Sequence, residues 1–186
     1  MIQPDYRLAV IGSASIRPFD KAMVNPASID LRLGSTIRLP RWYWRNPLTR
    51  PFAWAFSSKD PKRNPDEFWG KSTEFKTFTL WPGQFVLCHS LEVTEIPLDH
   101  VAILLSKSST GRIGLEHLHA GYGDPGFHGQ WTFELINMAP WPVRLFAGQP
   151  LMQLIYMQMN GRPDQGYAQT GRYQGQHGPT AARLEK

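Results

Sequence analysis

Glycine and proline interrupt this chain too often for a fold built on long helices: there are 16 of each among 186 residues. In a helix interior a glycine costs about 1 kcal/mol and a proline about 3 kcal/mol relative to alanine. Several sit in turn pairs, as Pro82-Gly83, Asp124-Pro125-Gly126, Ala147-Gly148 and Gly178-Pro179. Proline presets one φ of a tight turn, and glycine supplies the positive φ of another. Between these marks lie short apolar runs of strand chemistry: Gln84 to Val93 (QFVLCHSLEV), Val101 to Ser106 (VAILLS), Gln130 to Met138 (QWTFELINM) and Leu151 to Met159 (LMQLIYMQM). Short strands separated by turn signals predict an all-β barrel or sandwich. One short helix is expected over Ser108 to Leu115, with Ser108 or Ser109 as its N-cap. Earlier in the chain, PASIDLRLGSTIRLP is expected to form a strand pair closed by Gly34.

Two stretches break the pattern. Residues 41–72 carry Trp, Arg and Pro without period and read as an insertion or long excursion within one domain of 1–186. Residues 160–186 are rich in Gly and Gln, with almost no aliphatic side chains, and read as a mobile tail.

Composition narrows the class. With 41% hydrophobic and 12% aromatic residues the chain can build a core. No apolar run approaches the ~20 residues of a membrane span. Met1 to Ala9 holds Asp5 and Arg7 and no signal-peptide core, so a soluble cytoplasmic protein with no membrane partner is expected. The single cysteine, Cys88, excludes an internal disulfide framework and any site needing several thiolates. The net charge is +5. The basic residues are scattered without a run of five, which argues against a nucleic-acid partner. An ordinary solvated surface and a pocket for an anionic small molecule both fit that charge.

Few constellations carry chemistry. His117 and His119 would share one face of a strand, as a metal pair or as plain surface histidines, and no third ligand stands at a telling spacing. The zinc-deaminase signature, the G-x-S-x-G elbow and the P-loop are absent. Lys107-Ser108-Ser109-Thr110-Gly111-Arg112 packs two cations, three hydroxyls and a glycine into six residues. At a helix start this is either a simple capped turn or an anion site. In WTFELIN, Trp131, Phe133 and Leu135 should face one way, and Thr132, Glu134 and Ile136 the other. Glu134 is then either an outward carboxylate on a half-solvated sheet or a general acid–base of raised pKa in a partly dry pocket.

Four motifs in order resemble the dCTP deaminase family, a relative of the trimeric dUTPases. They are SIRPFD with NPASIDLRLG (15–34), SKSSTGRIGL (106–115), AGYGDPGFHGQWTFELIN (120–137) and TGRYQGQHGPTAAR (170–183). The resemblance implies a mostly β, distorted jelly-roll or dUTPase-like barrel with one or two short helices. It implies a homotrimer whose active sites are shared between subunits. It also implies zinc-free hydrolysis of the 4-amino group of dCTP to dUTP and ammonia, with Mg2+ carried on the triphosphate. Dual function, or dUTP diphosphatase action releasing dUMP and pyrophosphate, is the alternative, because A-G-x-x-D-P-G-[FY] also suits dUTPases. A non-catalytic nucleotide-binding module is the second. dUTP and inhibitory dTTP are further expected ligands.

The resemblance also assigns residues. Glu134 matches the catalytic carboxylate, which moves protons from water to ring and leaving nitrogen. Arg112 matches the group that stabilises developing charge, and Ser108 the one that holds water and substrate. Lys107, Ser108, Ser109, Thr110 and Gly111 fall in the phosphate-binding element. Asp124 falls at the deoxyribose, and the backbone of Thr132 and Phe133 at the base. Tyr167, Arg172 and Gln176 fall on a C-terminal lid. Lys107 stands where the family usually has Arg, and Arg172 where it has Lys; charge is kept and hydrogen-bond geometry changes.

Overall fold

The computed structural model describes residues 1–55 and 65–183. Residues 56–64 of the expected insertion and 184–186 of the tail lie outside them. In chain order the strands are β1 (Ile16–Arg17), β2 (Ile29–Arg32), β3 (Thr36–Ile37), β4 (Thr73–Glu74), β5 (Thr77–Leu80) and β6 (Phe85–Glu95). There follow β7 (His100–Ser106), β8 (Leu115–His117), β9 (Tyr122–Gly123), β10 (His128–Asn137), β11 (Val143–Phe146) and β12 (Pro150–Gln158). The helices are α1 (Asp5–Ser15), α2 (Trp42–Arg45), α3 (Ser108–Arg112) and α4 (Tyr167–Thr170), with short 3-10 turns besides.

The mostly β expectation holds. Two four-stranded antiparallel sheets form, in the orders β1-β6-β10-β8 and β2-β12-β7-β9, with two smaller ribbons, β11-β5 and β3-β4. One apolar core draws on both sheets: Val86, Phe133 and Leu135 from the first, Leu31, Leu104 and Leu154 from the second. Fully burying each such side chain is worth about 1.5–3 kcal/mol. The four apolar runs of the sequence became β6, β7, β10 and β12, the longest strands. The Asp124-Pro125-Gly126 mark became a turn: Phe127 N–H donates to the Asp124 carbonyl over 3.1 Å, and Gly126 sits at φ +83°. Proline followed by a positive-φ glycine is type II turn chemistry.

Three local expectations are corrected. The strands near Gly34 do not pair with each other: β2 pairs with β12 and β3 with β4. Gly34 instead packs under the His89 ring, where an added Cβ would stand 2.1 Å from Cε1. Helix α1 was not expected, because only Leu8 and Gly12 of its eleven residues are buried while Tyr6 and Val10 are exposed. A stripe that narrow leaves little periodicity to read. The expected helix near Ser108 exists but is capped by Lys107, with no side-chain cap bond. Among the described residues, no helix is long and apolar enough to cross a membrane.

Candidate active site

Strand β10 carries the site because its two faces differ. Burial alternates without a break, with Trp131, Phe133, Leu135 and Asn137 buried and Thr132, Glu134 and Ile136 half-buried. The core face is anchored by the Trp131 indole N–H, which donates to Thr94 Oγ1 over 2.8 Å. The other face opens on a cavity of about 350 Å³. Trp69, Phe85, Leu87 and Tyr173 form much of its apolar wall, and Thr132, Glu134 and Gln176 supply polar groups. Glu134 keeps 25% of its side-chain surface exposed there. Concave, mostly apolar and sparsely polar is the make-up of a small-molecule site.

One polar neighbour lies behind the carboxylate. His117 of β8 is fully buried, and its Nε2 stands 3.0 Å from Glu134 Oε2. Its ring meets Phe133 edge-on, with centroids 6.3 Å apart. His119 does not join it. The strand ends at His117, and His119 is turned out at φ +56°, 68% exposed, with Nε2 3.0 Å from Glu116 Oε1. The i, i+2 spacing therefore makes no metal pair. Among the described residues, no group of three or more His, Cys, Asp or Glu side chains could hold a metal ion.

The tail roofs the cavity. Gln130 N–H donates to the Gln176 carbonyl over 3.0 Å, and Gln176 Nε2 donates to the Gln130 carbonyl over 2.6 Å. Gly178 N–H donates to Gln130 Oε1 over 2.7 Å. The approach is close enough to require glycine at 129: φ is +153°, and an added Cβ would stand 3.0 Å from the Gln176 backbone. Tyr167 stacks edge-on against Phe127 at 5.5 Å, and its hydroxyl accepts the Tyr173 N–H over 3.2 Å. Under the tail lies His89, opposite Thr132 on β6. Burial pushes its imidazole below the ordinary range, and the nearby His177 acts in the same direction. The Ser90 carbonyl and Gln130 oppose that shift by hydrogen bonding.

A second cavity of about 490 Å³ shares Tyr122, Tyr167 and Tyr173 with the first, and Asp124 and Arg172 lie on its wall. The structure thus gathers Thr132, Glu134, Tyr167 and Gln176 in one lobe, and Asp124, Tyr167 and Arg172 in the other. Phe133 contributes backbone only, since its side chain lies in the core.

The element 107–112 lines neither lobe of this chain. Ser108, Ser109, Gly111 and Arg112 are exposed. Thr110 is buried, and its hydroxyl donates to the Leu151 carbonyl over 2.9 Å. Lys107 Nζ is paired with Asp30, whose other oxygen accepts from Asn25 Nδ2 over 2.8 Å. Sequence reasoning missed His117 as the neighbour of Glu134, and Trp69 and Phe85 as walls. No local pattern marks a wall that only tertiary packing assembles.

The chain is similar to known proteins in sequence and in fold. The model of the dCTP deaminase-like family matches residues 6–159. A protein of Rhodococcus opacus named "dCTP deaminase, dUMP-forming" is 38% identical over 178 residues, covering 92% of this chain and 88% of its own. One of the same name from Kocuria rhizophila is 39% identical over 178 residues, covering 92% and 87%. Among solved structures, 2'-deoxycytidine 5'-triphosphate deaminase from Agrobacterium tumefaciens shares the fold at a TM-score of 0.62 and 23% identity. That match covers 83% of this chain and 47% of the other, so the chain spans about half of its length.

Proposed function

The chain belongs to the dCTP deaminase-like family, and on that premise we propose that it is a hydrolase that converts dCTP and water to dUTP and ammonia. The single observation that supports this most is Glu134, a carboxylate with one side sealed and the other on an apolar cavity. In the proposed reaction Glu134 takes a proton from the water that attacks C4 and delivers protons to ring N3 and the leaving nitrogen. One positioned carboxylate serves both directions of transfer. The backbone of Thr132 and Phe133 meets the base and Asp124 the deoxyribose. Tyr167, Arg172 and Gln176 close over the triphosphate, which arrives as substrate with its Mg2+. No zinc is required.

Ser108 and Arg112 reach the reaction from a neighbouring subunit of a homotrimer, Ser108 on the water and Arg112 on the developing charge. Lys107, Ser109, Thr110 and Gly111 come with them to the phosphates. This reading rests on the exposure of Ser108 and Arg112 away from both lobes. It rests also on an apolar surface beside them, where Ile113, Leu118, Met138 and Trp141 are all more than 40% exposed. Such a patch suits burial against a second copy. The cytoplasm, where deoxynucleotides turn over, is the proposed location.

A second reading carries dUTP on to dUMP and pyrophosphate. It is favoured by the "dUMP-forming" name of relatives at 38% identity over 92% of the chain, and by Asp124 on the adjoining lobe. The test is incubation with dCTP, then separately with dUTP, resolving ammonia, dUTP, dUMP and pyrophosphate. Ammonia from dCTP supports deamination, and pyrophosphate from either substrate supports the second step. A chain that binds dCTP and releases neither is a binding module. Added dTTP shows in the same assay whether it inhibits.

A further inference from the structure

We infer that His117 is a positioning residue that holds Glu134 in its proton-accepting orientation, an inference that rests on the deaminase reading. The ring is fully buried and stands with Nε2 3.0 Å from Glu134 Oε2. Nδ1, Nε2 and Oε2 are all sealed from solvent, and none of them meets the geometry of a hydrogen bond with another group. A polar ring in such a place is costly unless a partner compensates it, and the Glu134 carboxylate puts a polar group within 3.0 Å of it. The ring also packs against the edge of Phe133. Glu134 lines the cavity and His117 does not. His117 therefore reaches substrate only through the carboxylate.

The consequence follows from the two oxygens. With Nε2 protonated and donating to Oε2, that oxygen is occupied, and Oε1 is left for water and base. Glutamate has three side-chain torsions, and a fixed partner on one oxygen removes most of their freedom. Reacting groups must be held close to productive geometry, and small misplacement costs rate steeply. The contact is short but poorly aligned in the free protein. Catalytic hydrogen bonds are often so before substrate binds, and tighten in the complex.

His117→Phe and His117→Gln test the role in the full chain. Phenylalanine keeps the ring and its packing on Phe133 but has no N–H, while the glutamine amide restores a donor near the place of Nε2. The expected result for His117→Phe is a KM for dCTP within about 3-fold of wild type and a kcat lowered about 10–100-fold. His117→Gln recovers most of that loss. Separately, 15N imidazole spectra of the unmodified ring should show a protonated Nε2 whose resonances move in Glu134→Gln. Unchanged kcat in His117→Phe overturns the inference, as does a glutamine variant no better than phenylalanine. Ring resonances indifferent to Glu134→Gln overturn it too, and this reading needs no folded His117 variant. A wild-type chain that frees no ammonia from dCTP overturns the deaminase reading instead, and the spectra then decide alone whether the His117–Glu134 contact stands.

Discussion

The backbone N–H of Thr180 donates to Thr132 Oγ1 over 3.2 Å, tying the C-terminal tail to the strand two residues before Glu134. With the bonds from Gln176 and Gly178 to Gln130, it makes the tail a wall of the cavity. A chain ended at Gln165 should lose about 10–100-fold in kcat/KM for dCTP, because water is no longer excluded and Tyr167, Arg172 and Gln176 are gone. Steady-state kinetics of the truncated and full chains check this. Equal kcat/KM would remove the tail from the account.

The proposed sharing of sites between subunits predicts complementation. The Glu134→Gln and Arg112→Ala variants should each be inactive. Unfolded together in equal amounts and refolded, they should regain about a quarter of wild-type sites, because a productive site needs Glu134 from one variant and Arg112 from the other. Ammonia release by the mixture measures the fraction. No recovery would place Arg112 and Glu134 in the same subunit's site.

Much of this was legible in the chain. Period-2 alternation fixed the face of Glu134, since each neighbour along β10 turns to the opposite side. The glycine and proline marks fell where turns formed. Less legible was everything that depends on which strand lies beside which. The strands at Ile29 and Thr36 look like a hairpin locally, yet each finds a distant partner, β12 and β4. His117 looks like half of a metal pair until β8 stops at it and antiparallel register sets it opposite Leu135, beside Glu134. Helix α1 was hidden because half of its apolar side chains, Tyr6, Val10 and Ala14, are exposed.

His89 makes stability depend on pH. Burial, with His177 acting the same way, holds its folded-state pKa below the ordinary 6.5. The unfolded chain therefore binds the proton more readily, and stability rises with pH across this window. The contribution is present above about pH 6.5 and is lost as pH falls toward the folded-state value. Thermal unfolding between pH 7.5 and 5.5 should show a steeper fall for the wild type than for His89→Gln. Parallel curves would mean that His89 is not the group responsible.

Cys88 is fully buried in β6, and burial pushes its thiol well above the ordinary range. The thiolate is the reactive form, so the native protein should resist a disulfide reagent such as Ellman's. After denaturation one thiol per chain should react, matching the single cysteine. Fast labelling of the native protein would show that β6 opens readily beside the Glu134 cavity.

The most direct measurement compares ammonia release from dCTP by the wild type and by Glu134→Gln, with nucleotide binding followed on both by calorimetry. The wild type should release one ammonia for each cytosine consumed. Glu134→Gln should bind dCTP and release ammonia at least about 100-fold more slowly, the scale of a lost general acid–base. A glutamine variant that turns over dCTP at the wild-type rate would contradict the account.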